Sequence, residues 1–234
     1  MKKLRNIIIF IFLVIVVIIG FYTYQGYEMY KEAIIKTPIR EKVEEIKEDK
    51  NYTNIVDLPQ MYINAVIAVE DHRFYEHGAI DIISIGRAIY TNVKEFDLVE
   101  GGSTITQQLS KNIYFTQEKK LIRKIAEVFM AFSLEKELTK DEIFELYVNT
   151  SYFGDGYYNV KEAANGYFDK EPGLMDDYEC TLLAGIPNAP SVYAPTKNPD
   201  LARQRQEQVI DKLVKYGYIT QEYAEEILIE EYQF

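Results

Sequence analysis

Three carboxylates and two histidines crowd the stretch Glu70-Asp71-His72-Arg73-Phe74-Tyr75-Glu76-His77, directly after the apolar run from Tyr62 to Val69. A carboxylate at such a boundary can end a helix in water. It can also stand where an apolar wall meets a cleft and accept a proton. Pro59 suits the first turn of a helix running to about Val69, which puts Glu70 at the helix C-terminus, where the negative end of the dipole disfavours ionisation. Burial against Val66, Val69 and Phe74 would push the same way, toward a pKa useful to a general base. This stretch alone leaves both readings open.

A second group could hold an anion. In Gly101-Gly102-Ser103-Thr104-Ile105-Thr106-Gln107-Gln108-Leu109-Ser110-Lys111 the glycine pair opens a loop, and Ser103 or Thr104 can cap the helix that follows. Hydroxyls, amides and free N–H groups then converge at a helix N-terminus, a place for a sugar or phosphate; a plain capped loop has the same composition. In Arg123-Lys124-Ile125-Ala126-Glu127, Arg123 and Glu127 share a helix face at i, i+4. They form either a surface ion pair worth about 0.3–0.5 kcal/mol or, with Lys111, a phosphate grip in which Arg acts as a fork and Lys as a point charge. Glu127 would then orient Arg123 or hold a divalent cation. His72 and His77, at i, i+5, lack the further N or S ligands that zinc needs. Nucleophile-elbow, Walker and Rossmann signatures are missing, and two His give a Ser or Cys triad no support. Cys180, alone, cannot form an intrachain disulfide and reads as a buried, inert thiol.

The elements that must position these groups read as helices. Ile122, Ile125, Ala126, Phe129 and Met130 repeat at helical spacing between Lys120 and Lys136. Thr139 and Glu142 form a capping box. Asp176–Ile186, Leu201–Tyr216 and a segment capped by Thr220 complete the set, and the domain is expected to be mainly α. Before it, Met1-Lys2-Lys3-Leu4-Arg5 precedes an uncharged run from Ile7 to Tyr22, long enough to cross a bilayer. The basic leader places the N-terminus in the cytoplasm; a cleaved signal peptide is the alternative, but no A-x-A-like site follows the run. The expected division is a leader and transmembrane anchor over 1–24, a charged stalk over 25–57 and a folded domain over 58–234. A formal charge of −11 speaks against general nucleic-acid binding.

Together these stretches resemble glycosyltransferase family 51, the peptidoglycan glycosyltransferases. Glu70–Gly78 resembles the motif E-D-x-x-F-x-x-H-x-G, Gly101–Gln108 resembles G-x-S-T-I-T-Q-Q, and Arg123–Glu127 resembles R-K-x-x-E. Glu142–Asn149 and Leu183–Pro190 are similar to I-L-E-x-Y-L-N and L-A-G-L-P-x-x-P. Five motifs in order over about residues 60–220 make the resemblance specific. It implies a lysozyme-like helical lobe plus a smaller membrane-associated lobe. Ile80–Tyr90, apolar and aromatic, would be that lobe's membrane contact or else ordinary core.

The implied reaction joins a glycan chain on undecaprenyl pyrophosphate to the GlcNAc 4-hydroxyl of lipid II, with inversion, giving a β-1,4 bond. By motif position Glu70 is the base, and Glu127 a second catalytic carboxylate and candidate metal ligand. Asp71, Phe74, His77, Ser103, Thr104, Gln107, Gln108, Lys111, Arg123, Lys124 and Asn149 are carried over as substrate-binding. The resemblance further implies Mg or Mn bound with the pyrophosphate, residence in the bacterial cytoplasmic membrane with the domain outside, and partnership with transpeptidases and other wall-synthesis proteins. With little sequence left after the match for a transpeptidase domain, the chain is expected to resemble the monofunctional members, unless it is a fragment of a longer protein. Asp169 stands where the family usually has Gly, and the Gly expected near Asn159 is missing. The rival expectations are a lysozyme-like glycan-cleaving enzyme, which would need no diphosphate clamp, and a non-catalytic anchored scaffold that binds lipid II.

Overall fold

A computed structural model describes residues 2–95, 101–115 and 120–229, without the side chains of Lys2, Ile89, Glu95 and Lys120. Among the described residues there is no strand, and the expectation of a mainly α fold holds. The core is built around α3 (Gln60–Glu70), whose residues Tyr62, Ile63, Ala65, Val66, Ile67 and Ala68 are all buried. On one side it packs against α9 (Asp177–Gly185) and α11 (Pro199–Lys215). A second group, α5 (Ile105–Tyr114), α6 (Lys120–Glu137) and α7 (Lys140–Thr150), packs mutually around α5. The C-terminus of α3 therefore opens into the seam where these two groups meet.

Side-chain caps fix where the helices begin. Thr104 accepts from Gln107 N while the Gln107 side chain accepts from Thr104 N, and the same reciprocal box joins Thr139 to Glu142 and Asp176 to Glu179. Each cap contributes about 1 kcal/mol. In α8 (Val160–Phe168), Asn159 is the N-cap and Asp169 the C-cap, the latter left-handed at φ 54°. That conformation favours glycine, which accounts for the residue expected there. Neither departure touches the cleft described below.

The helix α1 (Lys2–Lys36) is unbroken, and its span Lys3–Lys36, which contains an 18-residue stretch of mean hydropathy 2.9, is long and apolar enough to cross a membrane. Its second half lies along α6. Gly26 makes this contact possible: a Cβ there would come within 2.5 Å of Ile125 Cγ2. Tyr27 and Tyr30 pack on Phe129, with ring centroids 5.4 and 5.9 Å away, and Tyr30 Oη hydrogen-bonds Ser133 Oγ at 2.8 Å.

The exposed stalk expected over 25–57 is thus corrected. Residues 25–36 continue the helix, and α2 (Ile39–Lys47) buries Ile39 and Val43 in the core, with Ile46, Tyr52 and Ile55 packed against it. Its charges lie on the outer face of an amphipathic helix whose apolar residues recur at i, i+4, i+7. Ile80–Tyr90 is not ordinary core either. On α4 (Ile82–Glu95), Ile82, Ile83, Tyr90 and Val93 are exposed, and Ala88 is buried.

Candidate active site

Glu70, the last residue of α3, stands between two clefts. The first, about 290 Å³, is lined by Val69, Glu70, Gly101, Ser103, Gln107, Gln108, Lys111, Lys124, Glu127, Pro187 and Asn188. The second, about 390 Å³, lies on its other side and includes Asp71, His72, Arg87, Asn188, Arg205, Asp211, Lys212 and Tyr216.

The Glu70 side chain is only 8% exposed. Its Oε2 accepts a 2.7 Å hydrogen bond from Gln108 Nε2, while the buried Oε1 has no hydrogen-bond partner among the described residues. Burial raises its pKa above the ordinary carboxylate value, and Asp71 adds to the rise; Gln108, Arg205 and Lys111 pull it down without cancelling the effect. A carboxylate with one oxygen held and the other free, in a site poor in water, is equipped to take a proton.

The cations gather on α5 and α6. Lys111 lines the first cleft with no hydrogen bond or ion pair to any described residue. Partial removal from water holds its ammonium below the ordinary lysine value, and Lys124 and Arg123 push further down against the pull of Glu127 and Glu70. Lys124 Nζ donates to Ser103 Oγ at 2.7 Å and lies 3.1 Å from Glu127 Oε2. Arg123 Nε donates to the other oxygen, Oε1, at 3.1 Å. Glu127 is buried, and it fixes two cations at the rim of the cleft.

A resident divalent cation does not fit Glu127. Both its oxygens are already bonded to cations, and Lys111 adds a third positive charge nearby. Dications need free carboxylate oxygens. The described residues Asp71, His77 and Asp81 bring ligand atoms close together, but each is bonded internally: His77 Nε2 to Asp71 Oδ1 at 2.7 Å, and Asp81 to Arg73 and Ser84.

Of the residues named from sequence, the structure brings Glu70, Ser103, Gln107, Gln108, Lys111, Lys124 and Glu127 into one cleft, with Arg123 behind Glu127. Others serve the scaffold. Phe74 is fully buried beneath the Lys140 ammonium, against Phe144, so it cannot touch a substrate in the cleft. His77 is bonded to Asp71 and to Gly78 O, and Asp71 Oδ2 accepts from Ile105 N, tying the end of α3 to the start of α5. Thr104 caps α5 and donates to Ala79 O. Asn149 clamps the loop before α3, accepting from Thr53 N and donating to Thr53 O and Glu145 O. Arg87, Asn188 and Arg205 were not singled out. Asn188 is the first variable position after Pro187 in the L-A-G-L-P-x-x-P motif, and Arg205 sits on a charged helix face that reads as solvated.

Fold and cleft define a class first: a helical protein whose site sets one desolvated proton acceptor beside a grip for anions. Residues 37–214 match the family model for Transglycosylase, and the chain belongs to that family. It is 43% identical over 173 residues to penicillin-binding protein 1F of Bacillus subtilis, covering 74% of this chain and 24% of that protein. It is 42% identical over 170 residues to a Cupriavidus necator protein named as a candidate transglycosylase, covering 73% of each. Penicillin-binding protein 1A of Neisseria lactamica is 39% identical over 185 residues, 79% of this chain and 23% of that one. The chain therefore spans about a quarter of the penicillin-binding proteins it matches. A crystal structure of penicillin-binding protein 1A from Haemophilus influenzae aligns with a TM-score of 0.47 at 21% identity, over 78% of this chain and 18% of that one.

Proposed function

We propose that the chain is a peptidoglycan glycosyltransferase that polymerises lipid II into glycan strands. The donor's anomeric C–O bond to pyrophosphate breaks as the acceptor 4-hydroxyl attacks from the opposite face, so the α link becomes β-1,4. The hydroxyl proton goes to Glu70 Oε1, and undecaprenyl pyrophosphate leaves with the bonding pair. That leaving group is already acidic and needs charge neutralisation more than a proton. Lys111, Lys124 and Arg123 supply this in the first cleft. The second cleft, across Glu70, suits the acceptor sugar.

A lipid-linked substrate accords with α1 as the anchor and with the exposed apolar face of α4 as a membrane contact. The basic leader puts the N-terminus in the cytoplasm and the domain outside. Transpeptidases and other wall enzymes are the proposed protein partners.

The observation carrying this reading is the presence on one cleft of a buried carboxylate oxygen and a lysine that, among the described residues, have no hydrogen-bond partner. Incubation of the purified chain with labelled lipid II tests it. Polymer without release of fragments from finished glycan is expected. Fragment release would make the chain a hydrolase, and binding without turnover would make it a scaffold.

A further inference from the structure

Arg205 lies on α11, outside the three motifs that supply the carboxylate and the anion grip, yet it is the cation that directly faces the free oxygen of Glu70. Its Nη2 lies 3.8 Å from Glu70 Oε1. That separation is an ion-pair distance and too long for a hydrogen bond. The guanidinium is held at this distance by other partners: Nε donates to Gly185 O at 3.3 Å, Nη1 donates to Gln208 Oε1 at 2.9 Å, and its carbon sits 5.8 Å from the Tyr193 ring centroid. The side chain is 13% exposed.

Gly185 is shaped to this arrangement. A Cβ there would stand 2.9 Å from Arg205 Cγ, so the glycine leaves room for the arginine stem. Its φ of −78° would suit any residue, and the requirement is one of space rather than backbone.

We infer that Arg205 is a positioning residue that keeps Glu70 ionised while leaving its Oε1 free to take the acceptor proton. A guanidinium in hydrogen-bond contact would occupy the lone pair the reaction needs, and no cation at all would leave a buried carboxylate to protonate. Held back by Gly185 and Gln208, Arg205 does neither. The other charged or titratable groups facing Glu70 do not substitute for it. Lys111 on α5 acts from the first cleft, where the pyrophosphate would claim its charge. Asp71 opposes ionisation, and Tyr147 on α7 is neutral, its pKa raised by burial. Lys124 and Glu127 on α6 are bonded to each other, and His72, Arg87, Asp211 and Lys212 line the second cleft without hydrogen-bonding to Glu70 among the described contacts.

The inference rests on the glycosyltransferase reading, and the test separates the two. Wild-type chain, Arg205→Met, Arg205→Lys and Gly185→Ala are assayed for lipid II polymerisation across pH, with thermal unfolding recorded for each. Failure of the wild type to polymerise lipid II would end the reading itself. Given an active wild type, Arg205→Met should move the acid limb of kcat/KM upward by about one pH unit, the effect of losing an opposite charge at this range. Arg205→Lys should restore most of the limb. Gly185→Ala keeps both charges but pushes the arginine stem, and should move the limb in the same direction. An unmoved limb in both Arg205→Met and Gly185→Ala, or an equal shift in the Lys variant, overturns the inference and leaves Arg205 a packing residue.

Discussion

Replacing Glu70 with Gln isolates the proposed base from the scaffold around it. The substitution keeps shape and keeps an oxygen for Gln108 Nε2, which now donates at 2.7 Å. It removes only the capacity to accept a proton. Positioned general bases contribute roughly 10²–10⁴-fold, so polymerisation by Glu70→Gln should fall by about that factor while lipid II still binds. Stability should move the other way. The folded-state pKa of Glu70 is raised, mainly by burial, above an ordinary value of 4.5. The native state therefore binds the proton more tightly than the unfolded chain. This favours folding at low pH and is lost as pH rises through the folded pKa. Gln is neutral throughout, so its advantage should be absent below about pH 4 and complete above the folded pKa of Glu70. Each unit of elevation is worth about 1.4 kcal/mol, and about 1 kcal/mol moves Tm by roughly 2–4 °C in a chain of this size. Loss of the Arg205 ion pair offsets part of the gain. Polymerisation rates on synthetic lipid II and unfolding followed by circular dichroism from pH 4 to 8 check both limbs. Polymer formation within tenfold of wild type would remove Glu70 as the base. A Tm that falls at pH 7 would show that the carboxylate is not desolvated.

Lys111→Met should lower turnover about 10²-fold, the usual loss of one charge-stabilising group, with little change in Tm because Lys111 has no described ion-pair partner; steady-state kinetics and calorimetry read the two. Phe74→Leu should destabilise the fold by about 1–2 kcal/mol and leave the KM for lipid II unchanged, since the ring is buried away from the cleft; a raised KM in folded protein would return Phe74 to the binding site. Gly26→Val should destabilise by about 1–3 kcal/mol through overpacking, because even a Cβ there meets Ile125 at 2.5 Å. A Tm equal to wild type would mean that α1 does not seat on α6 in the membrane.

The proposed base and much of the proposed anion grip could be picked out from sequence because each lies in a short, contiguous stretch. Glu70 follows its own apolar wall, and Lys111 and Lys124 sit one or three turns from a recognisable glycine loop or acidic partner. Phe74, His77 and Asn149 lie outside the first cleft for a physical reason: a short motif can hold side chains that fix the site's shape as well as those that face its ligand. His77 and Asp71 spend their polar atoms joining two helix ends, and Asn149 spends its amide on Thr53. Arg205 was hidden because its significance comes from a tertiary approach of α11 to α3, which no local pattern encodes. The packing of residues 39–57 was concealed by charge: Lys42, Glu44, Glu45 and Lys47 mask the buried line of Ile39 and Val43.

The junction of α1 and α6 has a geometric consequence. A helix of 35 residues is roughly 50 Å long, some 20 Å more than the hydrocarbon thickness of a bilayer. Because the surplus is stiff and clamped by Gly26, Tyr27 and Tyr30 rather than slack, a bilayer around α1 sets the altitude of Glu70 as a gauge would. The lipid-linked substrates proposed above would then arrive at one fixed height, and the encounter would become a search in two dimensions instead of three.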